Sequence, residues 1–215
     1  MTVDLSLYLV TDSGVTTAAG HDVVDVVRRA TARGVTTVQV REKDATARTF
    51  LDTVLWVAGA VPDHVAVLVN DRVDVFLAAR DAGAKVAGVH VGQSDLPPSA
   101  VRRLIGADAV LGLSASTPQQ LAAASESGVV DYVGIGALHA TTTKRDAPSP
   151  LGHDGFARLV AMSALPAVAI GGITVTDLGA LRRAGAAGAA VVSAICGADD
   201  PGRAAAELHA AWDAA

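Results

Sequence analysis

The sequence predicts an α/β protein: a single (β/α)8 TIM barrel with an eight-stranded parallel sheet. Three observations carry this. Short β-branched runs recur eight times along 215 residues, each is followed by an amphipathic Ala/Leu/Val-rich segment, and chemically capable polar residues collect just after the runs. Strict strand–helix alternation implies a parallel sheet with helices as crossovers. An open doubly wound sheet has fewer strands, about six in its commonest form. Eight units in a chain this short fit a barrel, whose range starts at roughly 200 residues.

The strand-like runs are residues 5–10, 35–40, 65–69, 86–91, 109–113, 131–135, 167–170 and 189–193. Helix candidates between them include "HDVVDVVRRATARG", "TARTFLDTVLWVAG", "TPQQLAAASESG" and "TVTDLGALRRAG". Gly34, Gly83, Gly128 and Gly185 follow helix candidates, where a left-handed cap favours glycine. No linker or composition shift divides the chain, so residues 1–215 are read as one domain.

Hydrophobic residues make up 51% and charged residues 18%, which favours a packed core over disorder. The net charge of −5 argues against a nucleic-acid partner, because no basic surplus exists to neutralise phosphates. One small phosphate site built from a few Lys and Arg remains compatible with it. Cys196 is the single cysteine, so an internal disulfide and a cysteine metal cluster are excluded. A reducing, cytoplasmic setting is the expectation. The first residues lack the basic region and long apolar run of a signal peptide, and no run reads as membrane-spanning.

Barrel active sites lie at the C-terminal ends of the strands. In "TTVQVREKD", period-2 alternation puts Thr37, Gln39 and Arg41 on one face and Val38 and Val40 on the other. The valines are expected to face the helices, leaving Gln39 and Arg41 toward the axis with Lys43 just beyond. An unpaired inward Arg is costly, and a phosphate taken up bidentately would resolve that cost. The ordinary alternative is a strand end carrying solvated charges.

"VLVNDRVDV" and "VHVGQSDLP" place Asp71 and Asp95 where neighbouring strands enter their loops. Two such carboxylates suit Mg2+, which takes one or two of them together with water and substrate phosphate oxygens. Helix capping is the alternative, above all for Asp95, with Pro97 two residues on. "AIGGIT" and "VVSAI" fall at strands seven and eight, where barrel loops commonly bind phosphate through backbone N–H groups. His90 lies within an apolar run and reads as a hydrogen-bonded interior residue; His21, His64 and His209 read as surface positions. Residues 140–152, "ATTTKRDAPSPLG", have no periodicity, and a connection of this length usually binds or covers something.

The ordered set "LYLVTD", "VQVREKD", "VNDRVDVFLA", "GVHVGQSDLP", "GLSAST", "YVGIGALHATTTKRDAPSPLG", "VAIGGI" and "AVVSAICGADDP" resembles the thiamine phosphate synthase family. The resemblance implies a Mg2+-dependent transferase. It would join 4-amino-2-methyl-5-hydroxymethylpyrimidine diphosphate to 4-methyl-5-(2-hydroxyethyl)thiazole phosphate, giving thiamine phosphate and pyrophosphate. It further implies that Gln39, Arg41, Lys43 and Asn70 bind the pyrimidine diphosphate, with Ser114 and Lys144 completing that site. Asp71 and Asp95 would hold Mg2+. Thr141, Thr143, Gly172, Val192 and Ser193 would contact the thiazole phosphate. Arg41, Lys43, Lys144 and Ser114 would act directly on the leaving diphosphate, and the loop carrying Lys144 is expected to be a lid.

Two positions depart from the family pattern: Ser116 stands where a histidine is common, and Ala140 where a proline is. With only 3% aromatic residues, pyrimidine recognition is expected to rely on backbone and amide contacts more than stacking. Two alternatives stay open: a thiazole tautomerase-like relative, which depends on a histidine after strand five, and a non-catalytic sensor of a thiamine precursor. The small phosphorylated substrates are the expected partners, with no membrane or nucleic acid, and homo-oligomerisation is left open.

Overall fold

The computed structural model describes residues 3–141 and 149–215. Its strands are β1 (Leu7–Val10), β2 (Thr37–Val40), β3 (Ala66–Asn70), β4 (Gly88–Val91), β5 (Val110–Ser114), β6 (Tyr132–Gly136), β7 (Ala167–Ile170) and β8 (Gly188–Val191). They pair in sequence order, all parallel, and β8 closes on β1, so the sheet is a barrel without an edge. Every predicted run overlaps its strand, with each end within two residues of the observed one.

Helices α1 (Ser13–Ala18) and α2 (Val23–Thr31) follow β1, then α3 (Ala47–Ala60), α4 (Val73–Asp81), α5 (Pro98–Ile105), α6 (Pro118–Ser127) and α7 (Gly152–Met162) follow β2 to β6 in turn. A 3-10 turn (Val175–Asp177) leads into α8 (Leu178–Arg183) after β7, and α9 (Ser193–Cys196) and α10 (Pro201–Asp213) follow β8. The helix starts obey local chemistry. Asp22, Thr46, Thr117 and Asp200 accept backbone N–H bonds from the first turns, and Pro118 and Pro201 sit at the first helical position. Gly128 caps α6 at φ 63°, and the other three predicted cap glycines also have positive φ.

Strand periodicity sorts the core into two shells. Leu7, Leu9, Val38, Val40, Val67, Val69, Val133 and Ile135 point outward and pack under the helices. Tyr8, Val10, Leu68, Val110, Tyr132, Val168 and Ala190 fill the barrel interior. Small inward residues near the C-terminal ends of β5, β6 and β8, among them Gly134, Gly136 and Ala190, leave that end open. No described helix is long and apolar enough to cross a membrane.

The eighth run is shorter than the sequence predicts. β8 ends at Val191, Val192 leaves regular geometry, and Ser193 begins α9 instead of sitting within the strand.

Candidate active site

A cavity of about 480 Å³ opens at the C-terminal mouth of the barrel. One wall comes from β2, β3 and β4 and the loops after them: Gln39, Arg41, Lys43, Asn70, Asp71 and Asp95. Ser114 closes β5, while Thr141, Gly172, Val192 and Ser193 line the opposite side. The cavity thus brings together every described residue that the sequence reading selected. Thr143 and Lys144, with the rest of residues 142–148 in the expected lid, lie outside the described residues.

Gln39 is buried, and its amide Nε2 donates to Tyr8 Oη at 2.6 Å. Arg41 faces the cavity as expected, but a carboxylate of the chain itself answers its charge. Arg41 Nη1 lies 2.8 Å from Asp12 Oδ2, while Asp12 Oδ1 accepts from Val15 N and caps α1. Thr11 Oγ1 accepts from the Arg41 backbone N–H, fixing the place where β2 turns into its loop. This arrangement satisfies a guanidinium whose side chain is only 16% exposed and leaves its other donors available to an anion.

Lys43 Nζ reaches Asp71 Oδ2 at 2.5 Å. Asp71 has φ 58°, the one described non-glycine residue with positive φ, and its N–H donates to His90 O at 2.8 Å. That backbone turn aims the carboxylate at the β3–β4 edge of the mouth. Asp95 does not cap α5, whose N-cap position is taken by Pro97; its Oδ2 accepts from Gly92 N at 2.7 Å. Burial pushes the Asp95 carboxyl up, and the adjacent Asp71 carboxylate adds to this against the opposing Gly92 N–H and Lys43 charge. Two facing carboxylates, one of them disfavoured in its ionised form, are an unbalanced pair that a hard divalent cation would relieve.

Beneath these residues runs a polar chain that sequence reading passed over. Tyr8 Oη and Tyr132 Oη lie 2.8 Å apart, Tyr132 Oη is 2.8 Å from His90 Nδ1, and His90 Nε2 is 3.0 Å from Ser114 Oγ. His90 is therefore the hydrogen-bonded interior residue predicted. Both of the chain's tyrosines sit in this floor, so aromatic faces line the cavity despite the low aromatic content. The available signal was their inward position in "LYLV" and "DYVGIG". Gly112 makes room for the chain, since a methyl there would stand 2.4 Å from Tyr132 Oη and 2.5 Å from His90 Nδ1.

Across the mouth, Gly171 and Gly172 have φ 101° and 65°. A methyl on Gly171 would meet Ala137 Cα at 2.7 Å, so this loop presses against the one after β6 as only glycine permits. Ser116, at the departing position, donates from Oγ to Gly136 O at 2.6 Å and braces β6.

The chain matches the family model described as thiamine monophosphate synthase over residues 7–195. It belongs to that family. The thiamine-phosphate synthase of Solidesulfovibrio magneticus is 49% identical over 207 residues, covering 96% of this chain and 94% of that protein. The thiamine-phosphate synthase of Corynebacterium efficiens is 46% identical over 201 residues, covering 93% and 91%. A solved thiamine phosphate pyrophosphorylase from Pyrococcus furiosus superposes with a TM-score of 0.86 at 30% identity, covering 98% and 96%. The function of the family member described here is thiamine-phosphate synthesis.

Proposed function

We propose that the cavity binds a pyrimidine diphosphate on the Arg41–Lys43–Asp71–Asp95 wall and a thiazole phosphate on the Gly172–Ser193 side. The thiazole nitrogen would then be alkylated by the pyrimidine CH2, with pyrophosphate released. One observation carries this reading. Two cations and two carboxylates share one wall, while glycine-freed backbone faces them across the same cavity. The first suits a metal-bound diphosphate and the second a smaller anion.

The reaction proceeds by departure of the diphosphate before attack. The CH2–O bond breaks with its electrons going to the diphosphate oxygen, the pyrimidine amino group donates density to the CH2 cation, and the thiazole nitrogen's lone pair forms the new C–N bond. Arg41 and Lys43, with Lys144 from the loop, stabilise the charge gathering on the leaving group. Ser114 Oγ, held by His90, offers a further hydrogen bond to it. Asp71 and Asp95 are the residues that would hold Mg2+, which when bound supplies positive charge to the diphosphate oxygens. Gln39, pinned by Tyr8, positions the pyrimidine above the aromatic floor. Thr141, Thr143, Gly172, Val192 and Ser193 serve the thiazole phosphate.

Ser116 stands where a tautomerase-like relative would need its histidine, and no specific observation favours that reading or a sensor. Buried, unpaired Cys196 agrees with a reducing cytoplasmic setting.

The test is an assay of the purified protein with both phosphorylated substrates, following thiamine phosphate and pyrophosphate, with Mg2+ and with excess chelator. Equimolar products that vanish on chelation support the reading. A folded protein that binds the thiazole phosphate yet forms no product overturns it.

A further inference from the structure

We propose that His139, His153 and Asp177 form a second metal site, for a divalent ion of the Zn2+ class. It is separate from the Asp71–Asp95 pair and independent of the reading above. The three residues come from different segments: the loop after β6, the first turn of α7 and the 3-10 turn after β7. Their ligand atoms lie within 4.8 Å of one another.

The geometry converges on one atom. His139 Nε2 and His153 Nε2 each lie 2.9 Å from Asp177 Oδ1. The two imidazoles meet edge to face, at 83° with centroids 5.5 Å apart, so their nitrogens approach that oxygen from different planes. In a tetrahedral zinc site with bonds of about 2.0–2.1 Å, ligand atoms stand roughly 3.3–3.4 Å apart. The cluster therefore has to open by only about 0.4–0.5 Å along each nitrogen–oxygen separation to take an ion of that size.

Its surroundings orient the carboxylate. Asp177 is 6% exposed, and its other oxygen, Oδ2, accepts from Thr174 N at 2.8 Å and Thr174 Oγ1 at 2.9 Å. This leaves Oδ1 turned toward the imidazoles, as outer-shell bonds orient a ligating carboxylate. The His139 backbone is fixed by its N–H bond to Gly171 O at 2.9 Å. Both imidazoles are about two-fifths exposed, at 41% and 44%, so the outer side of the cluster is open to a water as fourth ligand.

The donor set selects the ion. Two imidazole nitrogens with one carboxylate oxygen suit Zn2+, Co2+ or Ni2+, whereas Mg2+ takes oxygen ligands. Without an ion, each imidazole donates its Nε2–H to Asp177 Oδ1. Binding exchanges those two bonds for two nitrogen–metal bonds, with the ring protons moved to Nδ1. A bound ion ties the two stems of the 140–152 connection to the loop after β7.

The test strips the full-length protein with chelator and titrates it with Co2+, then with Zn2+ against a chromogenic chelator. The expected result is one equivalent of Co2+ with the visible absorption of a four-coordinate site, displaced by Zn2+. His139→Ala and His153→Ala should each weaken Zn2+ by about 100-fold or more, beyond the loss typical of an outer-shell change. His153 is exposed enough that its variant should keep the metal-free Tm, and the doubly substituted Asp71→Asn/Asp95→Asn protein should keep the Zn2+ affinity. Substoichiometric binding, equal affinity in parent and histidine variants, or loss only in the doubly substituted protein would each overturn the proposal.

Discussion

The phenolic oxygens of Tyr8 and Tyr132 meet at 2.8 Å inside the barrel, joining β1 to β6 through the interior rather than around the sheet. Gln39 extends this contact toward the pyrimidine side, and His90 extends it to Ser114. A floor made of hydrogen bonds holds two proposed substrate contacts in register with each other, which an apolar floor of the same volume would not do.

Tyr132→Phe removes the oxygen shared by Tyr8 and His90. Tyr8 Oη and His90 Nδ1 each lose a buried hydrogen bond, so stability should fall by about 1–3 kcal/mol. Urea unfolding should show a lower midpoint at unchanged slope. Release of His90 should also lower kcat by letting Ser114 reorient, while the KM for the thiazole phosphate stays near that of the parent.

The same pair sets the alkaline limit of the fold. Burial raises both phenols, opposed at Tyr8 by its hydrogen bonds and reinforced at Tyr132 by the neighbouring Tyr8. A folded value above the unfolded one gives stability that is complete below about pH 10 and declines above it, by about 1.4 kcal/mol per pH unit for each phenol. Because the chain has only two tyrosines, the tyrosinate absorbance of the native protein should stay silent past pH 10 and rise only with unfolding. Early tyrosinate signal from a protein with native circular dichroism would contradict this.

Asp95 should trade stability for function. Its carboxyl is raised by burial and then by Asp71, so without metal the folded state loses stability as pH climbs from the ordinary carboxylate value through the raised one. Asp95→Asn removes that strain and can still accept from Gly92 N. Allowing for solvent screening of a partly exposed group, the metal-free variant should melt roughly 1–2 °C higher at neutral pH. Its kcat/KM should fall by about 100-fold or more, as expected when a charge stabilising the leaving group is misplaced. Thermal scans with and without Mg2+ check both: the parent should gain Tm from Mg2+ and the variant should not.

Local patterns made the barrel legible, and contacts set by closure did not. Val38 and Val40 outward against Thr37 and Gln39 inward is a period-2 statement contained in the strand itself, and it holds. The same holds for the end-of-strand positions of Arg41, Asp71 and Asp95. The Tyr8–Tyr132 bond spans 124 positions and exists only because eight strands close, so no window of sequence contains it. The Arg41–Asp12 pair is similar: the inward Arg was readable, but its partner depended on β1 and β2 lying side by side. Ser193 was misplaced because a β-branched run continues past the last ladder bond, where Val192 turns the chain into α9.

Arg41→Lys tests whether charge or shape matters on the diphosphate wall. A lysine can keep the pairing with Asp12 but cannot offer the planar fork that takes two phosphate oxygens. The variant should fold with near-parental Tm. Its kcat/KM for the pyrimidine diphosphate should drop by about 10–100-fold, the range of one or two lost charge-assisted hydrogen bonds. Steady-state kinetics in each substrate separately would show the loss on the pyrimidine side alone.

Gly172→Ala tests the opposite side. Gly172 has φ 65°, and an added Cβ would stand 2.9 Å from His139 Cβ and 3.1 Å from Ala140 O. Backbone strain at positive φ and the push against the loop after β6 act together, and should lower stability by about 1–2 kcal/mol. Displacement of this loop moves the backbone N–H groups proposed to face the thiazole phosphate, so the KM for that substrate should rise several-fold while the pyrimidine diphosphate KM changes little. If Gly171 and Gly172 merely turned the chain, both KM values would hold and only Tm would fall. The split between the two substrates, measured on the same folded variant, separates a phosphate-binding turn from a structural one.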